Sequence, residues 1–324
     1  MEKKIKVGIV GGAGYTGGEL LRILLFHPFV DIQFVHSKSN AGNKVSSVHK
    51  DLLGYTELVF SGELSSDIDV LILCLGHGDA KKFLDQNKIQ DSIKIIDLSH
   101  DFRIASPDND FVYGLPELNK EKIKEAKKLA NPGCFATCIE LGLLPLASIG
   151  KLNNEVHTSG ITGSTGAGQS LSPTSHFSWR EGNVSVYKAF SHQHLKEINQ
   201  SLRQLQSSFD KDINFIPYRG NFTRGIICTS YVKSDLSQEE ARSLYKTFYK
   251  DHPFTIVSDE NIDLKQVVNT NKCLVFVEKH GQNLMIISII DNLVKGASGH
   301  AVQNLNLMFA LKETEGLLLK PAGF

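Results

Sequence analysis

Residues 5–10, Ile-Lys-Val-Gly-Ile-Val, form an apolar run that passes directly into Gly11-Gly12-Ala13-Gly14-Tyr15-Thr16-Gly17-Gly18. The leucines that follow, Leu20, Leu21, Leu24 and Leu25, recur at helical spacing. The order is therefore buried strand, glycine-rich turn, helix. Glycine lets the backbone approach another group closely, and the first amides of a helix have no carbonyl one turn earlier to accept them, so the junction suits an anion such as a pyrophosphate. A chain that begins this way is constrained to a parallel sheet with a dinucleotide at the carboxyl ends of its strands. Gly11, Gly12, Ala13, Gly14, Tyr15, Thr16 and Gly17 are the expected cofactor-binding residues.

A second strand, 32–35, ends about 20 residues past the glycine turn, where such folds read the adenosine ribose. His36-Ser37-Lys38-Ser39 stands there. No carboxylate repels a 2′-phosphate, and hydroxyl and ammonium groups are present to bind one, so Ser37, Lys38 and Ser39 point to NADP(H). Residues 69–75 and 93–98 read as fully buried parallel strands, ended by Gly76-His77-Gly78 and by Ser99-His100-Asp101-Phe102-Arg103. Ligands bind just outside such ends. His77, Ser99 and Arg103 are accordingly candidates to line the cofactor or substrate crevice, and Cys74, within the first of these strands, is assigned to the cofactor. Residues 113–119 read as a loop and 121–129 as a short charged helix.

Residues 131–137, Asn-Pro-Gly-Cys-Phe-Ala-Thr, carry the second constraint. Asn131-Pro132-Gly133 is a turn signal, and Ile139, Leu143, Leu144 and Leu146 recur at roughly helical spacing after it. Cys134 is thus expected to open a helix that ends at about 145–149. A thiol there meets unpaired amides and the positive end of the helix dipole, which favour thiolate; the alternative is a small buried apolar side chain. The other cysteines, Cys74, Cys138, Cys228 and Cys273, lie mostly in apolar runs, and no CxxC pair occurs. Free thiols in a reducing compartment, and no metal, are expected.

After residue 149 the pattern changes. A strand at 155–161 precedes a second glycine-rich loop, 162–169, which starts no obvious helix. Gly163 is assigned to the cofactor, and Ser164 and Gly166 to the substrate. His192 and His194 precede a helix at 195–209; a zinc pair lacks a third ligand at suitable spacing, which leaves acid–base service as the stronger reading. Strands at 213–218, 225–232, 273–278 and 284–290, with an amphipathic helix at 238–250, suggest a mixed sheet covered on one face. Arg219 and Arg224, within PYRGNFTRG, are placed to clamp a carboxylate or phosphate. Residues 297–311 should form a long buried helix.

The fold class expected is α/β: a Rossmann-type parallel-sheet NADP-binding domain, 1–148, completed by a C-terminal helix at 297–324, plus an inserted α+β domain with a mixed sheet, 149–296. Lys+Arg and Asp+Glu are equal at 35 each, so no global field attracts nucleic acid or an anionic membrane. The N-terminus runs straight into a strand without a signal-peptide core, and no apolar run approaches a membrane-spanning length. A cytoplasmic protein is expected.

A dinucleotide fold, an activated cysteine, a histidine and anion-binding arginines together select a narrow reaction class. Sulfur adds to a carbonyl, and nicotinamide exchanges hydride with that carbon. An acyl phosphate fits as the small-molecule substrate, because phosphate departs readily once sulfur has attacked. The segments GGAGYTGGEL (11–20), DFR (101–103), YGLPELN (113–119), NPGC (131–134), SGITGSTGAG (159–168), SHQH (191–194), TRGI (223–226) and IDNLVKGASGHAVQNLN (290–306) span nearly the whole chain. In that order they closely resemble the N-acetyl-γ-glutamyl-phosphate reductase family of arginine biosynthesis, related to aspartate-semialdehyde dehydrogenase. The resemblance implies NADPH-dependent reductive dephosphorylation of N-acetyl-L-glutamyl 5-phosphate to the 5-semialdehyde, with Cys134 as nucleophile and His194, more than His192, as acid/base. It also implies anion binding by Arg103, Arg224 and Ser164, Asn292 near the nicotinamide, and a homo-oligomer, dimer or tetramer. Two departures stand out. Phe135-Ala136 replaces the family's Tyr-Pro after the cysteine, which should leave sulfur chemistry intact. PYRGNFTRG replaces a segment in which many members carry a histidine and a proline, and Arg219 there could receive the extra carboxylate of an N-succinyl substrate. That substrate, aspartate-semialdehyde dehydrogenase and an NADP-binding sensor are the alternatives.

Overall fold

A computed structural model of the chain describes residues 4–323. It divides into two compact units, one running to Pro132 and resuming over Ala297–Leu318, the other comprising Gly133–Gly296 and the chain from Leu319. The boundary lies at Pro132, ahead of the expected one at 148, so the helix that Cys134 opens belongs to the second unit.

The first unit is built on seven strands, β1 (Ile5–Val10), β2 (Val30–His36), β3 (Phe60–Ser61), β4 (Val70–Leu73), β5 (Lys94–Asp97), β6 (Val112–Tyr113) and β7 (Lys128–Ala130). All pair in parallel, in the order β3-β2-β1-β4-β5-β7-β6. Strand order reverses between β1 and β4, the switch point at which doubly wound sheets bind dinucleotides. The helices are α1 (Tyr15–Leu24), α2 (Val45–Val48), α3 (Asp79–Gln86) and α4 (Pro116–Glu125), with the last helix of the chain, Gly299–Met308, packed on α1 and α4. Leu20, Leu21 and Leu24 of α1 are fully buried; each contributes about 1.5–3 kcal/mol through the apolar surface it removes from water. Two local expectations change. The helix expected at 121–129 starts at Pro116, a residue suited to the first helical position because its missing N–H would have no partner there. Residues Lys128–Ala130 are β7, paired between β5 and β6.

The second unit holds β8 (Val156–Thr162), β9 (Ser185–Val186), β10 (Ile213–Arg219), β11 (Ile226–Lys233), β12 (Thr255–Ser258), β13 (Cys273–His280) and β14 (Asn283–Ile290). They form a mixed sheet in the order β12-β13-β14-β11-β8-β10-β9. Its helices are α5 (Cys134–Ser148), α6 (Phe177–Arg180), α7 (Leu195–Leu205) and α8 (Gln238–Tyr249), leaving α9 for Gly299–Met308. The helix expected over 297–311 is therefore shorter, and it is preceded by a π-helical turn at Val294–Ser298. Nearly every residue of α5 is buried, which marks a central helix rather than an amphipathic one; it packs on β11, β14, α7 and α8.

Pro145 lies inside α5 and has no N–H to give Leu141 four residues earlier. The Tyr249 hydroxyl of α8 donates to the Leu141 carbonyl at 2.6 Å, and Tyr245 does the same for Gly142 at 2.6 Å. A side chain thus replaces the bond the proline removes. Tyr249→Phe is expected to lower stability by about 1–2 kcal/mol, because it leaves a buried acceptor without its donor; urea unfolding against wild type measures it.

Candidate active site

In the first unit, β1 ends in the glycine turn as expected. Gly11 has φ of 79°, and a Cβ on it would lie 2.4 Å from the Cys74 carbonyl oxygen at the end of β4, so only glycine fits. The Gly11 and Gly12 amides donate to the His36 carbonyl at the end of β2. Gly14 caps α1, leaving the first amides of that helix at the switch point. Just past β2, Lys38 opens a short 3-10 turn, is exposed, and has no carboxylate partner among the described residues. The Ser37 and Ser39 hydroxyls lie 3.5 Å apart beside it. These groups fit a dinucleotide: close backbone for the pyrophosphate, and a cation with two hydroxyls just past the end of β2.

Burial pushes the Cys74 thiol up to about 12, with the Thr16 hydroxyl acting in the opposite direction, so Cys74 is a neutral group beside the turn. Ser99 is fully buried; its hydroxyl donates to Asp97 at 2.7 Å and accepts from the Asp101 amide at 3.1 Å, which makes it a brace of the loop after β5. Asp97 itself is pushed up to about 6 by burial, against the hydrogen bonds from Ser99 and the charge of Arg103. Arg103 is buried and donates to the Leu98 carbonyl at 2.8 Å. His77 stacks on His100, ring centroids 4.2 Å apart.

The turn ahead of Cys134 is braced by Asn131. The Asn131 amide donates to the Asp97 carbonyl at 2.7 Å, and its side chain bonds Ala297 and Asn304. In the second unit, Gly133 is the N-cap of α5 and Cys134, half-buried, is its first residue. An anionic sulfur there is met by the free amides and dipole of a long helix. A Cβ on Gly296 would lie 2.8 Å from the Cys134 Cβ, so the π-helical turn can pass against Cys134 only as glycine.

The two histidines have different surroundings. His192 is buried against Phe135, Tyr187 and Phe215, and burial, helped by Lys188, pushes it down to about 4. Its Nδ1 accepts from the His194 amide at 3.2 Å, which leaves it a neutral packing group at ordinary pH. His194 has a carboxylate neighbour: its Nε2 lies 3.9 Å from Glu197 Oε1. The other oxygen of Glu197 accepts from the Gly133 amide at 2.9 Å. One buried carboxylate therefore joins the turn that presents Cys134 to the imidazole that would move protons. Sequence reasoning missed Glu197; the signal was its spacing three residues after His194, on the same face of α7.

The second glycine loop does form one 3-10 turn, Ser164–Ala167, tied down by amide bonds from Gly163, Ser164 and Thr165 to the carbonyls of Gly225, Phe222 and Thr223. Gly166 is exposed beside it. Asn292 braces this arrangement, accepting from the Gly225 amide at 2.7 Å and donating to Thr165 Oγ1 at 2.9 Å. The two arginines expected to clamp an anion have different surroundings. Arg224 Nε lies 3.1 Å from Oδ2 of Asp291, a fully buried residue, so its charge is already offset. Asp291 also accepts the Leu293, Val294 and Asn269 amides. Arg219 has no such partner among the described residues; its guanidinium lies over the Tyr187 ring, 4.7 Å from the centroid.

Residues 6–126 match the model of the semialdehyde dehydrogenase NAD binding domain, and residues 134–292 that of the semialdehyde dehydrogenase dimerisation domain. A curated N-acetyl-gamma-glutamyl-phosphate reductase from Phocaeicola vulgatus is 60% identical over 321 residues, covering 99% of this chain and 100% of the relative. The chain belongs to the N-acetyl-gamma-glutamyl-phosphate reductase family. A more distant member, from Flavobacterium johnsoniae, is 56% identical over 324 residues, again covering 99% of this chain and 100% of its own length. Among solved structures, aspartate semialdehyde dehydrogenase II from Vibrio cholerae, complexed with ASA, matches with a TM-score of 0.73 at 16% identity, covering 95% of this chain and 99% of that one. Aspartate semialdehyde dehydrogenase from Candida albicans, solved with NADP, matches with a TM-score of 0.72 at 13% identity over 95% and 99% of the two chains. At these identities the likeness is one of fold. The family carries a nicotinamide dinucleotide-binding domain and a dimerisation domain, and among the described residues no helix is long and apolar enough to cross a membrane.

Proposed function

We propose that this protein reduces an N-acylated L-glutamyl 5-phosphate to the 5-semialdehyde, the reaction for which its N-acetyl-gamma-glutamyl-phosphate reductase relatives are named. The observation that carries the reading is Glu197, bonded to the amide of Gly133 at one oxygen and facing His194 at the other. This is the three-part logic of an activated nucleophile: a sulfur, a base within its site, and a group that orients the base. His194 accepts the Cys134 proton, the thiolate attacks the acyl carbon, and the C–O bond to phosphate breaks as the thioester forms. His194 returns that proton to the departing phosphate, and after reduction the thiohemiacetal collapses to aldehyde and thiolate. The NADPH held by the residues of the glycine turn, with Ser37, Lys38 and Ser39 at the ribose phosphate, supplies a hydride to the acyl carbon when bound.

Lys38→Ala is expected to raise the KM for NADPH about 10-fold while changing that for NADH little, since a charged hydrogen bond to phosphate is worth about 1.5–3 kcal/mol. Steady-state kinetics with both cofactors decides this, and a wild-type preference for NADH removes the NADP assignment. The reading extends to self-association through the second unit, whose model is named for dimerisation.

A further inference from the structure

Three observations in the second unit concern a charge that the reaction above does not use. Arg219 ends β10, aligned with Thr162, the residue from which β8 passes into the loop carrying Ser164. Its guanidinium rests on the Tyr187 ring, its Nε is buried without a hydrogen-bond acceptor, and no carboxylate pairs with it among the described residues. A second cation stands beside it. Arg180 is buried, its Nη1 donates to the Arg219 carbonyl at 2.8 Å, and its Nη2 donates to the Thr174 carbonyl at 3.1 Å. Every acceptor of Arg180 is neutral, including Ser185 Oγ at 3.4 Å and the Asn183 carbonyl at 3.4 Å. Arg219 thus carries a guanidinium without a counter-charge among the described residues, at a strand end that Arg180 ties down through the Arg219 carbonyl.

Successive ring contacts link Arg219 to the histidine proposed to move protons. His194 meets His192 at 4.6 Å between ring centroids, His192 meets Tyr187 at 5.9 Å, and Tyr187 carries Arg219 at 4.7 Å. In an extended N-succinylglutamyl group the terminal carboxylate lies about 10 Å from the carbon that sulfur attacks, taking a rise of roughly 3.3–3.6 Å per three backbone-like bonds. An N-acetyl group ends two bonds earlier and bears no charge.

We propose that Arg219, positioned by Arg180 and the Tyr187 ring, receives the free carboxylate of a dicarboxylic N-acyl group, so that the substrate is N-succinyl rather than N-acetyl. The inference rests on the reading of Cys134 and His194 given above. It is tested in the oxidative direction, by phosphate-dependent NADPH formation from N-acetyl- and N-succinyl-L-glutamate 5-semialdehyde. Wild-type protein should show the higher kcat/KM with the N-succinyl compound. In Arg219→Leu the ratio of the two efficiencies should fall about 10- to 100-fold, the range a hydrogen bond to a charged group confers. Arg219→Lys should recover part of that ratio, and the KM for phosphate should hold. Thermal melts confirm that each variant is folded. Equal or better turnover of the N-acetyl compound by wild type overturns this inference alone. A rise in the KM for phosphate in Arg219→Leu, or equal losses on both semialdehydes, overturns it by assigning the arginine to the phosphate or to the fold. Turnover of neither compound overturns it together with the reading beneath it.

Discussion

Cys134→Ala should reduce phosphate-dependent turnover of the semialdehyde about 10^4-fold or more, the scale of removing a covalent nucleophile. Alanine is the right probe because of how tightly the site is packed. The Cys134 Cβ is the atom that the neighbouring Gly296 turn leaves room for, and alanine keeps it while deleting only sulfur. The helix start, the Gly133 amide bond to Glu197 and the packing of α5 should all survive. NADPH binding, assigned to residues of the other unit, should persist in a fluorescence titration. An unchanged melt with lost turnover therefore assigns the loss to chemistry. With acyl phosphate and no reductant, the wild-type peptide containing Cys134 should gain the mass of the acyl group, and the variant should not. Activity within tenfold of wild type in Cys134→Ala would rule out the thioester.

What the sequence makes legible here is what rests on local rules. The strand, glycine turn and helix at β1 and α1 follow from spacing and from residues whose backbone limits are known, and the fold confirms them down to the positive φ of Gly11. Cys134 at the start of a helix follows equally from Asn131-Pro132-Gly133. What stays hidden depends on partners far along the chain. Arg224 reads like Arg219 until Asp291, 67 residues later, is seen against it. Arg180 sits in a four-residue helix with no periodicity to reveal that its side chain is buried. Lys128–Ala130 is too short a run, among too many lysines, to announce a strand.

The same distinction separates the two histidines, and it yields the second large effect. His194→Asn should lower kcat about 10^2- to 10^4-fold, the usual contribution of a positioned acid–base group. His192→Asn should be milder, since that ring packs on Phe135, Tyr187 and Phe215 and pairs with no carboxylate among the described residues. The pH profile tells them apart. Because burial holds His192 down at about 4, it stays neutral from pH 5 to 8, and its removal should leave any limb in that range in place. The same shift makes the fold acid-sensitive: an unfolded chain protonates this imidazole below its ordinary value of 6.5, the folded one only near 4, so stability should fall as pH drops between the two. His194→Asn should abolish the kinetic limb that the acid–base group imposes. Glu197→Gln should displace that limb without abolishing it, because glutamine keeps an oxygen for the Gly133 amide and loses only the charge facing His194. If His192→Asn instead erases the limb while His194→Asn preserves it, the proton is carried by the ring nearer Tyr187, and Glu197 serves only to hold the turn on which the sulfur stands.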